Sequence, residues 1–339
     1  MGSGMEPTSR DCGCWDFCRE ILPGVSRSFA LIIPMCPPPL DRALCVAYLL
    51  CRIADTIEDE PDLEPAAREL LYDACLAAVA RPEDPDAARF FQDGWPARPA
   101  GAEGRLIGDC RRVLEAFGSL EPRLAGPIRD CLEEMVTGMR RSRPVETRGG
   151  VRFLCADLED LDRYCHYVAG TVGVMSSRLF ADHMAPGGFR ADDAWMERGR
   201  RMGLGLQMTN ILKDCRIDAA RGVSFVPASL VDLGGGGYRP TPTGLGILIR
   251  HTIGHLQEAM AYVRSVPPGE SGIRAFLLGS LLPAIATLEV AASDRWEQPK
   301  IDRVKMREIF DWIGRHAADN DAVAEWFEWH CLRTLAALA

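Results

Sequence analysis

ALCVAYLLCRIADTIEDE, residues 43–60, decides how the fold is read. Within it Tyr48, Arg52, Asp55 and Asp59 stand at i, i+4, i+7 and i+11, so a helical period brings all four to one face. The intervening Leu44, Val46, Ala47, Leu49, Leu50, Ile53 and Ala54 are apolar. The spacing predicts a mostly buried helix with one polar stripe ending in Asp55, Glu58 and Asp59. Carboxylates in such a setting need partners, because unpaired buried charge is expensive. A hard divalent cation is one such partner.

A second stretch has the same design. GLGLQMTNILKDCRID, residues 203–218, sets Gln207, Asn210, Asp214 and Asp218 at i, i+3, i+7 and i+11 of another largely apolar helix. Two such helices facing each other across a cavity suit several Mg2+ ions held by carboxylates and completed by substrate phosphates. One Asp-x-x-x-Asp pair alone reads as a solvated helix face. Two, each with an amide or an arginine one turn upstream, read as a site.

Helical spacing recurs at 11–22, 63–80, 103–118, 121–141, 157–182, 243–265, 271–293, 302–317 and 320–337. Pro34 and Pro37-Pro38-Pro39 force a loop, residues 93–104 read as another, Gly149-Gly150 marks a break, and Gly234–Gly237 reads as a flexible loop. No alternating strand pattern appears. The expectation is all-α: a single-domain helical bundle around a central cavity. Residues 1–10 read as a tag remnant and disordered N-terminus, and 11–339 as the domain.

The 339 residues are 47% hydrophobic, enough for a sizeable core, and a net charge of −9 argues against nucleic-acid binding. Thirteen scattered cysteines, an odd number, read as reduced thiols in a cytoplasmic protein. Cys12, Cys14 and Cys18 lack a second ligand pair, so they too read as thiols. Ala275–Leu288, bracketed by Arg274 and Glu289 and holding Pro283, reads as a core helix too short to span a membrane.

Several features stay open on the residues alone. Ser26-Arg27-Ser28-Phe29 is a helix start or a diphosphate contact. Arg140, Arg141 and Arg143 are a solvated helix end or an anion holder. Ala169, Gly170 and Gly173, near Tyr164, serve close helix packing or make room for a substrate tail. His166 reads as a satisfied histidine, and Lys305 and Arg307 by themselves as surface charges.

Four motifs together resemble the squalene/phytoene synthase family: S-R-S-F at 26–29, Y-L-x-x-R-x-x-D-T-x-E-D at 48–59, Y-C-H-Y-V-A-G-x-V-G at 164–173, and Q-x-T-N-I-x-K-D at 207–214 with Asp218 beyond. The Tyr164 segment, A-I-A-T-L at 284–288 and V-K-M-R at 304–307 are most similar to squalene synthase. The resemblance implies an isoprenoid-synthase fold and head-to-head condensation of two farnesyl diphosphates through presqualene diphosphate, reduced with NADPH to squalene. It implies Mg2+ on Asp55, Glu58, Asp59, Asp214 and Asp218. It implies diphosphate contacts from Ser26, Arg27, Ser28, Tyr48, Arg52, Gln207, Asn210 and Lys213. It places Tyr164 where the cation forms, and Arg27, Arg52, Asn210, Lys213, Lys305 and Arg307 toward the nicotinamide cofactor.

The sequence departs from the family pattern at Ile217, usually an acid, and at Lys213 and Val223, each usually an arginine. Ser280 and Leu281 replace a Pro-Gln pair. The C-terminal membrane anchor of animal and fungal relatives has no counterpart, which reads as a bacterial-type or trimmed form with at most peripheral membrane contact. Open alternatives are a non-reductive relative making presqualene diphosphate, dehydrosqualene or phytoene, a silent isoprenoid-binding protein, and a one-substrate terpene cyclase.

Overall fold

The computed structural model describes residues 9–60, 62–234, 238–293 and 299–338, with side chains from residue 13 onward. The expected tag remnant at residues 1–10 falls mainly outside the described residues, as do the Cys12 side chain and most of the Gly234–Gly237 loop. The chain divides into two compact units, one of residues up to Arg140 with Asp182–Pro186, the other of Arg141–Ala181 and the residues from Gly187 onward.

The first unit holds α1 (Ser9–Val25), α2 (Phe29–Ile32), α3 (Leu40–Asp59), α4 (Pro65–Ala80), α5 (Pro85–Asp93), α6 (Gly101–Gly108), α7 (Cys110–Gly118) and nearly all of α8 (Pro122–Arg141). Helix α3 is its centre, touching α1, α4, α6 and α7. Leu44, Val46, Leu49, Leu50, Ile53 and Ile57 of α3 are fully buried, each side chain contributing about 1.5–3 kcal/mol. Its last turn is fastened by Arg68, which donates to the carbonyls of Ile57 (3.2 Å) and Glu60 (2.8 Å).

The second unit holds two short strands, β1 (Glu146–Arg148) and β2 (Val151–Phe153), then α9 (Leu158–Cys165), a π-helical turn (His166–Gly170) and most of α10 (Thr171–Met184). It continues with α11 (Asp193–Ala220), β3 (Val223–Ser224), β4 (Val231–Asp232), β5 (Arg239–Pro240), α12 (Pro242–Ser265), α13 (Ser271–Ala291), α14 (Arg303–His316) and α15 (Asn320–Ala336). Helix α11 packs on α12 and α13, and α13 also packs on α14 and α15. Side-chain caps start five of these helices: Asp157, Asp192, Thr241, Asp302 and Asp319 each accept from backbone N–H groups of the first turn.

The all-α reading holds, with corrections in detail. Helix α5, opened by Asp84 as cap and Pro85 at the first position, was not expected. The helix expected at 103–118 is two helices that break at Asp109, and α6 begins inside the expected loop. Gly149-Gly150 is a two-residue hairpin turn, with φ of 58° and 80°, joining antiparallel β1 and β2. Strand β2 also pairs with β3 in parallel, and β4 with β5 antiparallel. Strands of two or three residues are too short to show an alternating pattern.

Helix α13 forms over the expected span and extends beyond the apolar run Ala275–Leu288 at both ends. Its 21 residues, with an 18-residue window of mean hydropathy 1.6, are long and apolar enough to cross a membrane, yet 72% of that window is buried in the protein. Arg274 does not flank this helix at the surface. It is fully buried and donates to the carbonyls of Val263 (2.9 Å), Val266 (2.7 Å) and Ala317 and to Asn320 Oδ1 (2.7 Å).

Candidate active site

In the first unit the polar stripe of α3 forms as its spacing predicts. Asp55 and Glu58 are half-buried and Asp59 is exposed. Burial pushes the Asp55 carboxyl up to about 7, with Asp59 adding to the shift and Arg52 opposing it. Burial likewise lifts Glu58 to about 8, helped by Asp55 and Asp59 and opposed by Arg68. Three carboxyl groups crowded on the end of one helix are a donor set of hard oxygens, suited to Mg2+. Arg52 gives Nη2 to Glu103 (3.2 Å), while its buried Nε has no hydrogen-bond partner among the described residues. That leftover donor suits an anion's oxygen.

The Ser26–Phe29 segment lies against the same helix. Tyr48 donates its hydroxyl to the Val25 carbonyl (3.1 Å) and its ring lies 5.0 Å from that of Phe29. Ser26 Oγ accepts from the Phe29 amide (3.0 Å), which shapes the turn and leaves Arg27 and Ser28 exposed. The structure therefore brings Ser26, Tyr48 and α3 together. Arg140 is neither solvated nor an anion holder: it pairs with Glu69 and Asp73 of α4.

In the second unit α11 carries Gln207, Lys213, Asp214 and Asp218 half-buried, with Asn210 exposed. Lys213 Nζ lies 2.9 Å from Asn210 Oδ1 and 3.2 Å from Asp214 Oδ2, so it balances one carboxylate of the pair. Ile217 is exposed on the same helix, an apolar side chain where an acid is usual. Tyr164, on α9, stacks on Phe225 with ring centroids 4.7 Å apart, a partner the sequence reading missed. Lys305 sits in the first turn of α14 and Arg307 at the start of the second, Lys305 half-exposed and 3.8 Å from Glu308, Arg307 exposed.

The small residues after Tyr164 are a packing seam. A Cβ on Gly173 would lie 2.1 Å from the Gly199 carbonyl oxygen, and one on Gly203 would lie 2.2 Å from that of Ala169. These glycines let the helices approach backbone to backbone.

Another cluster went unread. Asp162 on α9 meets His251 and His255 of α12: Oδ1 lies 2.7 Å from His251 Nε2 and 3.2 Å from His255 Nε2. Burial raises the Asp162 carboxyl, but hydrogen bonds from both imidazoles outweigh it and hold the group well below the usual carboxylate range. The legible signal was His-x-x-x-His at 251–255, one turn apart on a helix face.

Acid-bearing helices in an all-α framework define a protein of the isoprenoid-synthase fold. Comparison with solved structures agrees on the fold. TcSQS, solved in complex with a ligand, matches with TM-score 0.73 at 23% identity, over 96% of this chain and 92% of that one. A dehydrosqualene synthase, also with a ligand, matches with TM-score 0.61 at 18% identity, over 91% and 98%. The squalene/phytoene synthase profile matches residues 22–309, and the chain belongs to that family. Squalene synthase 1 of Arabidopsis thaliana is 32% identical over 204 residues, 59% of this chain and 44% of that protein. Squalene synthase 10 of Panax ginseng is 32% identical over the same share of the chain and 43% of its own length. The match thus spans less than half the length of these curated relatives.

Proposed function

We propose that this chain is a squalene synthase, joining two farnesyl diphosphates head to head to presqualene diphosphate and then reducing that product to squalene. The observation that carries the reading is the end of α3. There Asp55 and Glu58, crowded by Asp59, resist full ionisation without a cation, and Arg52 holds a spare buried donor a turn away. A magnesium diphosphate answers both needs at once.

Bound Mg2+ supplies Lewis-acid stabilisation of the departing diphosphate. Asp55, Glu58 and Asp59 would hold it in the first unit, and Asp214 and Asp218 in the second. Arg27, Arg52 and Lys213 neutralise phosphate oxygens, with Ser28, Gln207 and Asn210 as neutral contacts. Ser26 and Tyr48 fix the turn that presents Arg27, since their polar atoms are engaged by the backbone. The Tyr164 ring, backed by Phe225, faces the allylic cation and guides proton removal. Apolar helix faces exclude water that would quench the cation.

NADPH supplies the hydride of the second step. Lys305 and Arg307 are assigned to it, and two arginines stand near Val223 to replace the guanidinium missing there. Arg221 is two residues upstream, and exposed Arg152 pairs directly with Val223 across β2 and β3. The second reading, a non-reductive relative, is favoured by Val223 and Lys213 themselves. A hydrocarbon product is best released at a membrane surface, so peripheral contact belongs to the proposal.

Product analysis of the purified protein with farnesyl diphosphate and Mg2+, with and without NADPH, tests the reading. Squalene formed only with NADPH is the expected result. A product indifferent to NADPH selects the non-reductive relative. Absence of diphosphate release from farnesyl or geranylgeranyl substrate overturns both.

A further inference from the structure

We propose that Asp162, His251 and His255 form a binding site for a late first-row divalent metal, Zn2+ first among them, within the second unit. The three donor atoms already converge. His255 Nε2 lies 3.2 Å from Asp162 Oδ1 and 3.4 Å from His251 Nε2, and the third side, His251 Nε2 to Asp162 Oδ1, is 2.7 Å. A tetrahedral zinc with bonds of about 2.0–2.1 Å has ligand–ligand edges of roughly 3.3 Å. Two of the three edges fit as they stand. The short one opens by about half an ångström on metal entry, and both its side chains are partly exposed, His251 at 27% and Asp162 at 35%.

Without a metal the arrangement is poorly satisfied. Both imidazoles aim Nε2 at the same carboxylate oxygen, so each must carry its proton there to donate. Two N–H groups then meet 3.4 Å apart. A cation in place of the two protons removes the N–H conflict and turns three converging atoms into ligands. The framework is firm: His255 is 3% exposed, its ring stands edge-on to His251 at 4.9 Å, and a Cβ on Gly205 of α11 would lie 3.2 Å from its Cβ.

The donor chemistry sets the metal class. Two imidazole nitrogens and one carboxylate suit zinc, cobalt, nickel or iron(II) and leave positions open to solvent, whereas Mg2+ prefers all-oxygen sites such as the end of α3. Occupancy would tie α9 to α12 and so steady the helix that carries Tyr164, two residues beyond Asp162. The site is independent of the proposed reaction.

Co2+ is the probe, added to the chelator-treated protein in excess Mg2+ so that oxygen-only sites are filled. The expected result is about one bound Co2+ per chain, with visible ligand-field bands and displacement by Zn2+. His251→Ala and Asp162→Asn should each lower the affinity by at least about tenfold, with circular dichroism unchanged. Asp55→Asn, outside the cluster, should bind Co2+ as the parent does. Absence of the bands, or parent-like affinity in either folded variant, overturns the proposal.

Discussion

Gly173→Ala separates packing from substrate room at the seam beside Tyr164. The added Cβ would lie 2.1 Å from the Gly199 carbonyl oxygen, 2.8 Å from its carbon and 3.3 Å from Arg200 Cα. An ordinary carbon contact needs about 3.5 Å, so the helices must part by more than an ångström. Overpacking costs about 1–3 kcal/mol where side chains can yield. Here the obstacle is backbone, which puts the cost at the upper end, about 3 kcal/mol. In a unit of this size that lowers Tm by roughly 6–12 °C. Gly254→Ala is the control: it lies inside α12 with nothing within 4 Å of its added Cβ. That change should raise stability by about 0.5–1 kcal/mol. Thermal unfolding followed by circular dichroism reads both. A Gly173→Ala protein that melts with the parent, but changes its preference among prenyl chain lengths, would refute the packing argument.

Two further perturbations address the α3 site and the C-terminal helices. Asp55 and Glu58 titrate near 7 and 8 when folded and near 3.8 and 4.5 otherwise, so between those limits the folded protein binds more protons. Stability of the metal-free protein therefore falls as pH rises from about 4 to 8. Asp55→Asn and Glu58→Gln should melt higher than the parent at pH 8 without Mg2+, lose that advantage toward pH 4, and both abolish diphosphate release. Equal melting at pH 8 would remove the basis for the cation requirement. Arg274→Met leaves the Val266 and Ala317 carbonyls without the guanidinium and takes from Val263 one of its two donors, at a cost of about 3 kcal/mol or more. Early proteolysis of α14 and α15 should report it, and a parent-like cleavage pattern would show the buried guanidinium to be dispensable.

What the sequence made legible follows from period and length. Helices of three turns or more carry enough apolar positions to reveal a 3.6-residue repeat, and α3, α8, α12, α14 and α15 lie where that repeat predicts, while α11 starts ten residues before the stretch read at 203–218. The strands are shorter than any pattern, and α5 is short enough that only its Asp84-Pro85 start marks it. The α3 stripe was readable because its ligands and its apolar back share one helix. Arg274 misled because charge near an apolar run usually marks its end, while here the acceptors come from residues up to 46 positions away. Asp162 and His251 are 89 positions apart, and local spacing cannot report such a meeting.

The π-helical turn at His166–Gly170 has a consequence for how α9 and α10 are phased. A π turn holds one residue more than an α-helix would, and each residue advances a helix by about 100°. That surplus residue uncouples the rotation of the two helices. Tyr164 can therefore keep its stack on Phe225 while Gly173 keeps its contact with Gly199. Winding the same residues as continuous α-helix would swing one of those two faces about a quarter of a turn out of place, whereas deleting one residue together with the π turn would keep their phase. The chain thus sets the aim of its tyrosine and the seating of its glycines separately, with residue count in one turn as the adjustment between them.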